Sequence, residues 1–275
     1  MFTSNPFAEL SASIPTVYMQ GYIVLMILLV MGGTILDMLH KKSAKYFFEN
    51  AKKAKKSAKR SVGGGEKASI AASVLVKEVL TSGEFDNPRR RLSHLLTMYG
   101  TIIFVVTTAI MIFMPATPTP ALLPQLWHIG AVMLAVGGYW FWFAIRVDVS
   151  AEGLPWFRFE RADLFILSLL ATATFALIWS YTGGGVTVYF ALFILSSTVL
   201  FGGVYWSKFA HMFFKPAAAF QKRVIMADGG RENLPPDYDL TDTEVQRKFP
   251  DVPTYMGKNP PNMGLCIKAE RANHY

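Results

Sequence analysis

Five histidines carry most of the chemistry this chain can offer: His40, His94, His128, His211 and His274. There are no paired carboxylates, no Ser/His/Asp pattern and no HExxH helix motif. The single cysteine, Cys266, excludes an internal disulfide, and it excludes a self-contained iron–sulfur cluster or zinc–thiolate site, which take several thiolates. Histidine in an apolar helical setting points to haem or quinone chemistry. A b-type haem in a helical membrane bundle takes axial imidazoles from two facing helices at similar depth. His94 opens one apolar run and His211 follows another on the same side, so the pair is a candidate ligand set for one haem iron; no other metal site is expected. Gly100, Gly202 and Gly203 are small enough to let either a flat macrocycle or another helix approach. The alternative for each histidine is an interfacial side chain bonded to a carbonyl or headgroup. His40 lies on the same side and is able to replace either partner. His128 lies on the opposite side, as a candidate quinone-site hydrogen-bonding group or as an interfacial residue. His274 is assigned no role.

The elements that must position these residues are membrane helices. The 275 residues are 52% hydrophobic and only 17% charged, with 21 Phe and 13 Met, and the mean hydropathy is +0.31. Ordinary soluble domains are about 25% charged. Apolar runs over 17–36, 95–114, 126–145, 164–181 and 186–206 contain no charged residue, and only the third contains a histidine, His128. About 20 such residues span ~30 Å of hydrocarbon. A soluble enzyme is excluded, as is a β-barrel, whose strands alternate in polarity. Residues 1–16 lack a basic n-region, so the first run is expected to be a retained helix, not a cleaved signal peptide.

Charge sets the orientation. Fourteen of the 27 Lys and Arg residues lie in 37–94, three in 146–163 and ten in 207–275, and the opposite loops have none. The positive-inside rule places the basic side in the cytoplasm and the amino terminus outside. The expected fold is an all-α, polytopic five-helix membrane bundle. It divides into the amino terminus and first span (1–36), a basic loop (37–94), a four-helix core (95–214) and an extended cytoplasmic tail (215–275).

Residues 41–60 hold nine cations, Lys41, Lys42, Lys45, Lys52, Lys53, Lys55, Lys56, Lys59 and Arg60, against one acid, Glu49. The Ala/Lys-rich pattern predicts a helix. Its basic stripe suits anionic lipid headgroups, each charge contributing roughly 1 kcal/mol, or an acidic soluble partner; nucleic acid is not expected. Gly63-Gly64-Gly65 reads as a flexible break, and 68–80 as a second, amphipathic helix. The tail after Pro216 is proline-rich and cannot build its own core. It reads as solvated chain or as an arm that orders along a partner, with anchors such as Tyr238, Phe249 and Tyr255. No ionisable residue lies in mid-span, and Asp37 reads as interfacial, which disfavours an ion or small-anion transporter.

The segments RRRLSHLLTMYG at the second run and YWSKFAHMFFKP after the fifth resemble haem b membrane subunits of nitrate-reductase-gamma type. The segments GGTILDMLHKKSAKYFFENAKKAK and NMGLCIKAERANHY more closely resemble the membrane subunit associated with dissimilatory adenylylsulfate (APS) reductase, over nearly the whole chain. That resemblance implies an accessory subunit in a bacterial inner membrane, with no catalytic motif of its own. It implies docking of the cytoplasmic APS reductase alpha and beta subunits, which hold the FAD and two [4Fe–4S] clusters, and electron transport to a quinone in sulfur metabolism. The nitrate-reductase type carries two histidines on each of two spans. Here one remains on each, so at most one haem b is implied, and a haem-free structural anchor stays open.

Overall fold

The computed structural model describes residues 2–83, 85, 87–114, 119–148, 153–230, 242–248 and 250. The described residues are helical throughout, with no strand among them. Short α1 (Pro6–Ser11) precedes α2 (Thr16–Lys41), α3 (Ser43–Lys56) and α4 (Gly64–Val74), the last extended by a π-helical turn, Leu75–Leu80. Then follow α5 (Pro88–Phe113), α6 (Leu122–Trp140, continuing as a π turn through Ile145), α7 (Leu164–Tyr181), α8 (Val188–Gly202), α9 (His211–Ala227) and α10 (Thr243–Lys248).

Four helical stretches are long and apolar enough to cross a membrane: Thr16–Lys41, Pro88–Phe113, Leu122–Ile145 and Arg161–Tyr181. α5 packs on α6, α6 on α7, α7 on α8 and α8 on α2, and α2 returns to α5, closing a ring. α2 is its most peripheral member, burying only Met19, Met26 and Asp37. α8 is different in kind. At 15 residues it is about 22 Å long, short of a full crossing. The helix expected to run on through residue 206 and beyond stops at Gly202. The turn after it bonds Ser207 N–H and Trp206 N–H to Gly203 O, each at 3.0 Å. Within this turn Val204, Phe209 and Ala210 are buried, while Trp206 and Lys208 face outward. Gly33 on α2 makes room, since a Cβ there would lie 2.8 Å from Val204 Cβ.

Glycine also seats α5 on α6. A Cβ on Gly100 would lie 2.5 Å from Leu134 N and 2.8 Å from Gly130 O, and one on Gly130 would lie 2.7 Å from Phe104 N. Along the same seam Ser93 Oγ donates to Gly137 O at 2.8 Å, and Trp127 Nε1 donates to Thr108 Oγ1 at 2.8 Å. The end of the bundle away from the basic loops is filled by α1. Asn5 Oδ1 accepts from Phe7 N at its N-terminus, a capping bond that stabilises short helices. Phe7 then packs against Trp127 and Trp179 at ring separations of 6.0 and 5.3 Å. Nothing in the composition of residues 1–16 signals this plug.

At the basic end, α3, α4 with its π turn, and α9 pack together as a cap. The expected helix in 41–60 is α3. Gly64 and Gly65, expected in a flexible break, form the first turn of α4 instead, and Gly63 is its N-cap. The segment expected to be extended from residue 215 begins as α9, with Pro216 inside the helix. Pro216 is the sixth residue of α9, past the first turn, so Met212 O lacks its helical amide partner there. The helix finds a partner: Gln221 Nε2 donates to Phe47 O, Lys59 N and Arg60 N donate to Asp228 O at 3.0 and 3.1 Å, and Arg223 pairs with Glu78.

Candidate functional site

His94 lies in the second turn of α5, half-buried. The N-terminus of α5 is fixed by Asn87, whose Oδ1 accepts from Arg89 N and Arg90 N. The preceding segment is tied back to α5: Tyr99 Oη donates to Leu80 O at 2.7 Å, and Arg91 Nε to Thr81 O at 2.7 Å. That places buried Ser82, whose backbone is left-handed (φ 48°), with Oγ 2.9 Å from His94 Nδ1. Phe85 lies against the imidazole at 5.0 Å. Lys215 Nζ, one turn into α9 from His211, sits 5.6 Å from the same Phe85 ring, and Arg90 sits over that ring at 5.5 Å. The Lys215 side chain of α9 thus reaches the Phe85 ring that lies against His94. The side chain of His211 lies outside the described residues.

Of the candidate haem pair, His94 is the member whose side chain is described, and its Nδ1 lies against the Ser82 hydroxyl. Gly100 does not open space for a macrocycle, because the α6 backbone fills it. Gly202 does face open space, with Leu29 Cδ1 its nearest neighbour at 3.8 Å. Groups of three or more His, Cys, Asp or Glu able to hold a metal are absent among the described residues.

His128 is buried inside the bundle. Nδ1 lies 2.6 Å from Pro124 O and Nε2 lies 2.8 Å from Ser180 Oγ. A carbonyl only accepts, so Nδ1 carries the proton, and in the neutral ring Ser180 donates to Nε2. Phe2 and Trp127 cover the ring edge-on at 5.1 and 4.8 Å. Both nitrogens of the candidate quinone group are thereby engaged, Nδ1 within α6 and Nε2 in a tie to α7. His40 is exposed at the end of α2, 5.5 Å from the Tyr205 ring.

Two ionisable residues matter more than their sequence positions indicate. Asp37 is 2% exposed, enclosed by protein instead of lying at an open interface. Lys41 Nζ, one turn on, reaches back to 2.5 Å from its Oδ1. The approach is off-axis, so the contact is an ion pair while Oδ1 lacks a hydrogen bond, as does buried Thr34 Oγ1 a turn earlier. Arg146 is fully buried at the end of α6. Its Nη1 donates to Pro155 O and its Nη2 to Arg158 O, both at 2.8 Å, and Nη2 pairs with Asp163 at 2.6 Å. The guanidinium also lies 4.2 Å over the Trp142 ring. Arg146 thus shapes residues 153–163 from inside, a role that one basic residue among three in that loop does not signal.

The basic cap is the most developed surface. Phe47, Ala51, Ala54 and Ala58 recur at helical spacing and turn inward, with Ala54 buried. Lys41, Lys42, Lys45, Lys52, Lys53, Lys55, Lys56, Lys59 and Arg60 are all exposed. Tyr238, Phe249 and Tyr255 lie outside the described residues. The fold and surface together define a helical membrane protein with a cationic helical cap. Comparison with protein-family models, curated proteins and solved structures returns no match.

Proposed function

We propose that this chain is the membrane anchor of a cytoplasmic oxidoreductase whose redox cofactors reside in its partner. The observation that carries the reading is the cap. α3 turns its alanine face inward beside α9 and leaves five lysines, Lys45, Lys52, Lys53, Lys55 and Lys56, outward on a folded support, with Lys41, Lys42, Lys59 and Arg60 exposed at its flanks. A lysine-rich helix that served only as a solvated linker would need no such backing. A rigid cationic face attracts an acidic partner and speeds its docking. The positive-inside rule assigns the cap to the cytoplasm, with α8 and the buried turn after it completing a fifth crossing.

The resemblance to APS-reductase-associated subunits supports the identity of the partner, its alpha and beta subunits with FAD and iron–sulfur clusters. It equally supports passage of electrons to quinone in a bacterial inner membrane. One b-type haem on His94 and His211 is the second reading, favoured by the Ser82 tie on His94 and by the approach of α9 to Phe85. In that reading His94 and His211 would supply the two axial imidazoles, and the haem would supply one-electron transfer between partner and quinone.

The test is purification in mild detergent with partners identified, followed by a dithionite-reduced minus oxidised spectrum. The anchor reading expects a co-purifying flavin and iron–sulfur enzyme released by raised salt, since exposed charges are screened over about 8 Å at physiological ionic strength. Deleting residues 232–275 is expected to weaken retention while the bundle still inserts. A b-type α band lost in both His94→Ala and His211→Ala would favour the haem reading. Absence of any redox partner would overturn both.

A further inference from the structure

The loop joining α6 to α7 presents Trp156, Phe157 and Phe159 at 55, 63 and 65% exposure. Such rings on a loop normally collapse inward or are covered. Here they are held out by Arg146, whose bonds to Pro155 O and Arg158 O fix the backbone beneath them. They also continue a ladder that starts inside a membrane-crossing stretch. Tyr139 and Phe143, on α6 and its π turn, stack at 6.1 Å with planes 12° apart. Phe143 meets Trp156 at 6.3 Å, and Trp156 meets Phe157 at 5.7 Å. Phe143 is 55% exposed within the stretch Leu122–Ile145, so its open face meets acyl chains. Contact with Phe143 sets Trp156 on that same lipid side, at the depth where the hydrocarbon ends. Beyond the rings stand exposed Arg158 and Arg161, with Glu160 3.5 Å from Arg158 as the one acid between them.

We propose that this ladder and the two arginines form a binding site for one anionic phospholipid at the basic face. An acyl chain lies along Tyr139, Phe143 and Trp156, and the phosphate headgroup is taken by Arg158 and Arg161. Trp and Phe sit at headgroup depth with an apolar body and a wet edge. Guanidinium forks match phosphate oxygens. Asp163 is engaged by Arg146 and does not compete for the headgroup.

The test uses the full-length protein in nanodiscs of phosphatidylcholine with a minor fraction of phosphatidylglycerol. Retained lipid is counted by native mass spectrometry after release from the disc. The site predicts retained phosphatidylglycerol, with occupancy falling roughly fivefold per charge removed in Arg158→Gln and Arg161→Gln and only partly restored in the double lysine variant, which keeps the charge and loses the fork. Trp156→Ala is expected to weaken retention of both lipids alike. Inorganic phosphate is expected not to displace the lipid; displacement would make the site a free-anion site and overturn the proposal. Unchanged phosphatidylglycerol retention in the double glutamine variant would also overturn it. So would a spin label at position 157, in a Cys266→Ser background, that a water-borne nickel chelate reaches more readily than dissolved oxygen does. That outcome would assign the rings to the aqueous phase and to a protein partner.

Discussion

Replacing Gly100 with Ala sets two effects of opposite sign against each other, and the structure decides between them. Alanine is the better helix former by about 1 kcal/mol, so an exposed glycine in α5 would gain from the change. The added Cβ, however, would lie 2.5 Å from Leu134 N, 2.8 Å from Gly130 O and 3.0 Å from Leu134 Cα. All three are α6 backbone atoms, which cannot rotate away. Reaching ordinary contact requires α5 and α6 to part by about 1 Å. Parting stretches the Ser93–Gly137 and Trp127–Thr108 hydrogen bonds, both 2.8 Å now, each contributing about 1 kcal/mol. Overpacking costs about 1–3 kcal/mol. After subtracting the propensity gain, Gly100→Ala is expected to destabilise by about 2 kcal/mol, close to a 30-fold change in the unfolding constant. Reversible unfolding in mixed micelles titrated with dodecyl sulfate, followed by tryptophan fluorescence, measures it. Gly202→Ala is the internal control: its only neighbour is Leu29 Cδ1 at 3.8 Å, so it should match or exceed the parent. A Gly100→Ala protein as stable as the parent would refute the assignment of this glycine to helix contact and reopen the room it could give a macrocycle.

Arg146→Gln is expected to cost about 3 kcal/mol, because truncating one member of a buried pair leaves the other uncompensated; Asp163 keeps 14% side-chain exposure and a bond from Glu160 N, which holds the loss to the low end. Equal stability in the same titration would contradict the pin. His128→Phe should lose about 1–3 kcal/mol through loss of the side-chain bonds and Ser180 left without its partner, with quinone reduction by the partner complex unchanged; a selective loss of quinone activity at parental stability would restore the quinone role. Asp37→Leu should fall within about 1 kcal/mol of the parent, since Lys41 is half exposed and rehydrates while a buried charge is removed; a large loss would show that Asp37 binds something the bundle needs. The Glu66 carboxyl is held below its ordinary value by its hydrogen bond from Arg60 and by that residue's charge. Its contribution is therefore present above the unfolded glutamate value of about 4.3 and lost as pH falls through the lower folded value. Glu66→Gln should flatten the acid side of the stability profile, and an identical acid limb would sink this.

The spans are legible because a bilayer demands uniform apolarity, and composition alone then marks α2, α5, α6 and α7. Their ends are less so. α5 starts at Pro88, ahead of the apolar run, because Asn87 caps it and Arg89–Arg91 are helix formers able to reach headgroups. Residues 41–60 are legible as helix from alanine and lysine content, but their inward alanine face needs α9, which is contiguous with the tail and hidden by Pro216. α1 is illegible: six residues carry too little periodicity, and its stability comes from Phe7 and Leu10 entering the core. The histidines stand out by type in so apolar a chain, but type and depth do not reveal bonding. His128 is consumed by Pro124 O, one turn earlier on α6, and by Ser180 on α7, a partner that a linear reading places in an unrelated position.

Asp37 and Arg146 escape a linear reading for the same reason, and they show what side-chain charge does at the ends of membrane helices. A charge near a span end reads as solvated, since a long side chain can reach water. Arg146 has that length and turns inward instead, because the three backbone and carboxylate oxygens of 155–163 replace water at 2.6–2.8 Å. Asp37 is too short to reach the aqueous side, so Lys41 comes to it. One arrangement leaves a single buried nitrogen, Nε, without a hydrogen bond; the other leaves the carboxylate oxygen and, a turn away, the Thr34 hydroxyl. The difference follows from partner supply: a loop offers carbonyls freely, whereas neighbouring helices have already spent theirs. Arg146 therefore behaves as a structural pin, and its loss should be felt in stability. The α2 face beside the interrupted α8 keeps unspent hydrogen-bonding capacity, which is why Asp37→Leu is the substitution whose cost best separates an idle buried charge from one in use.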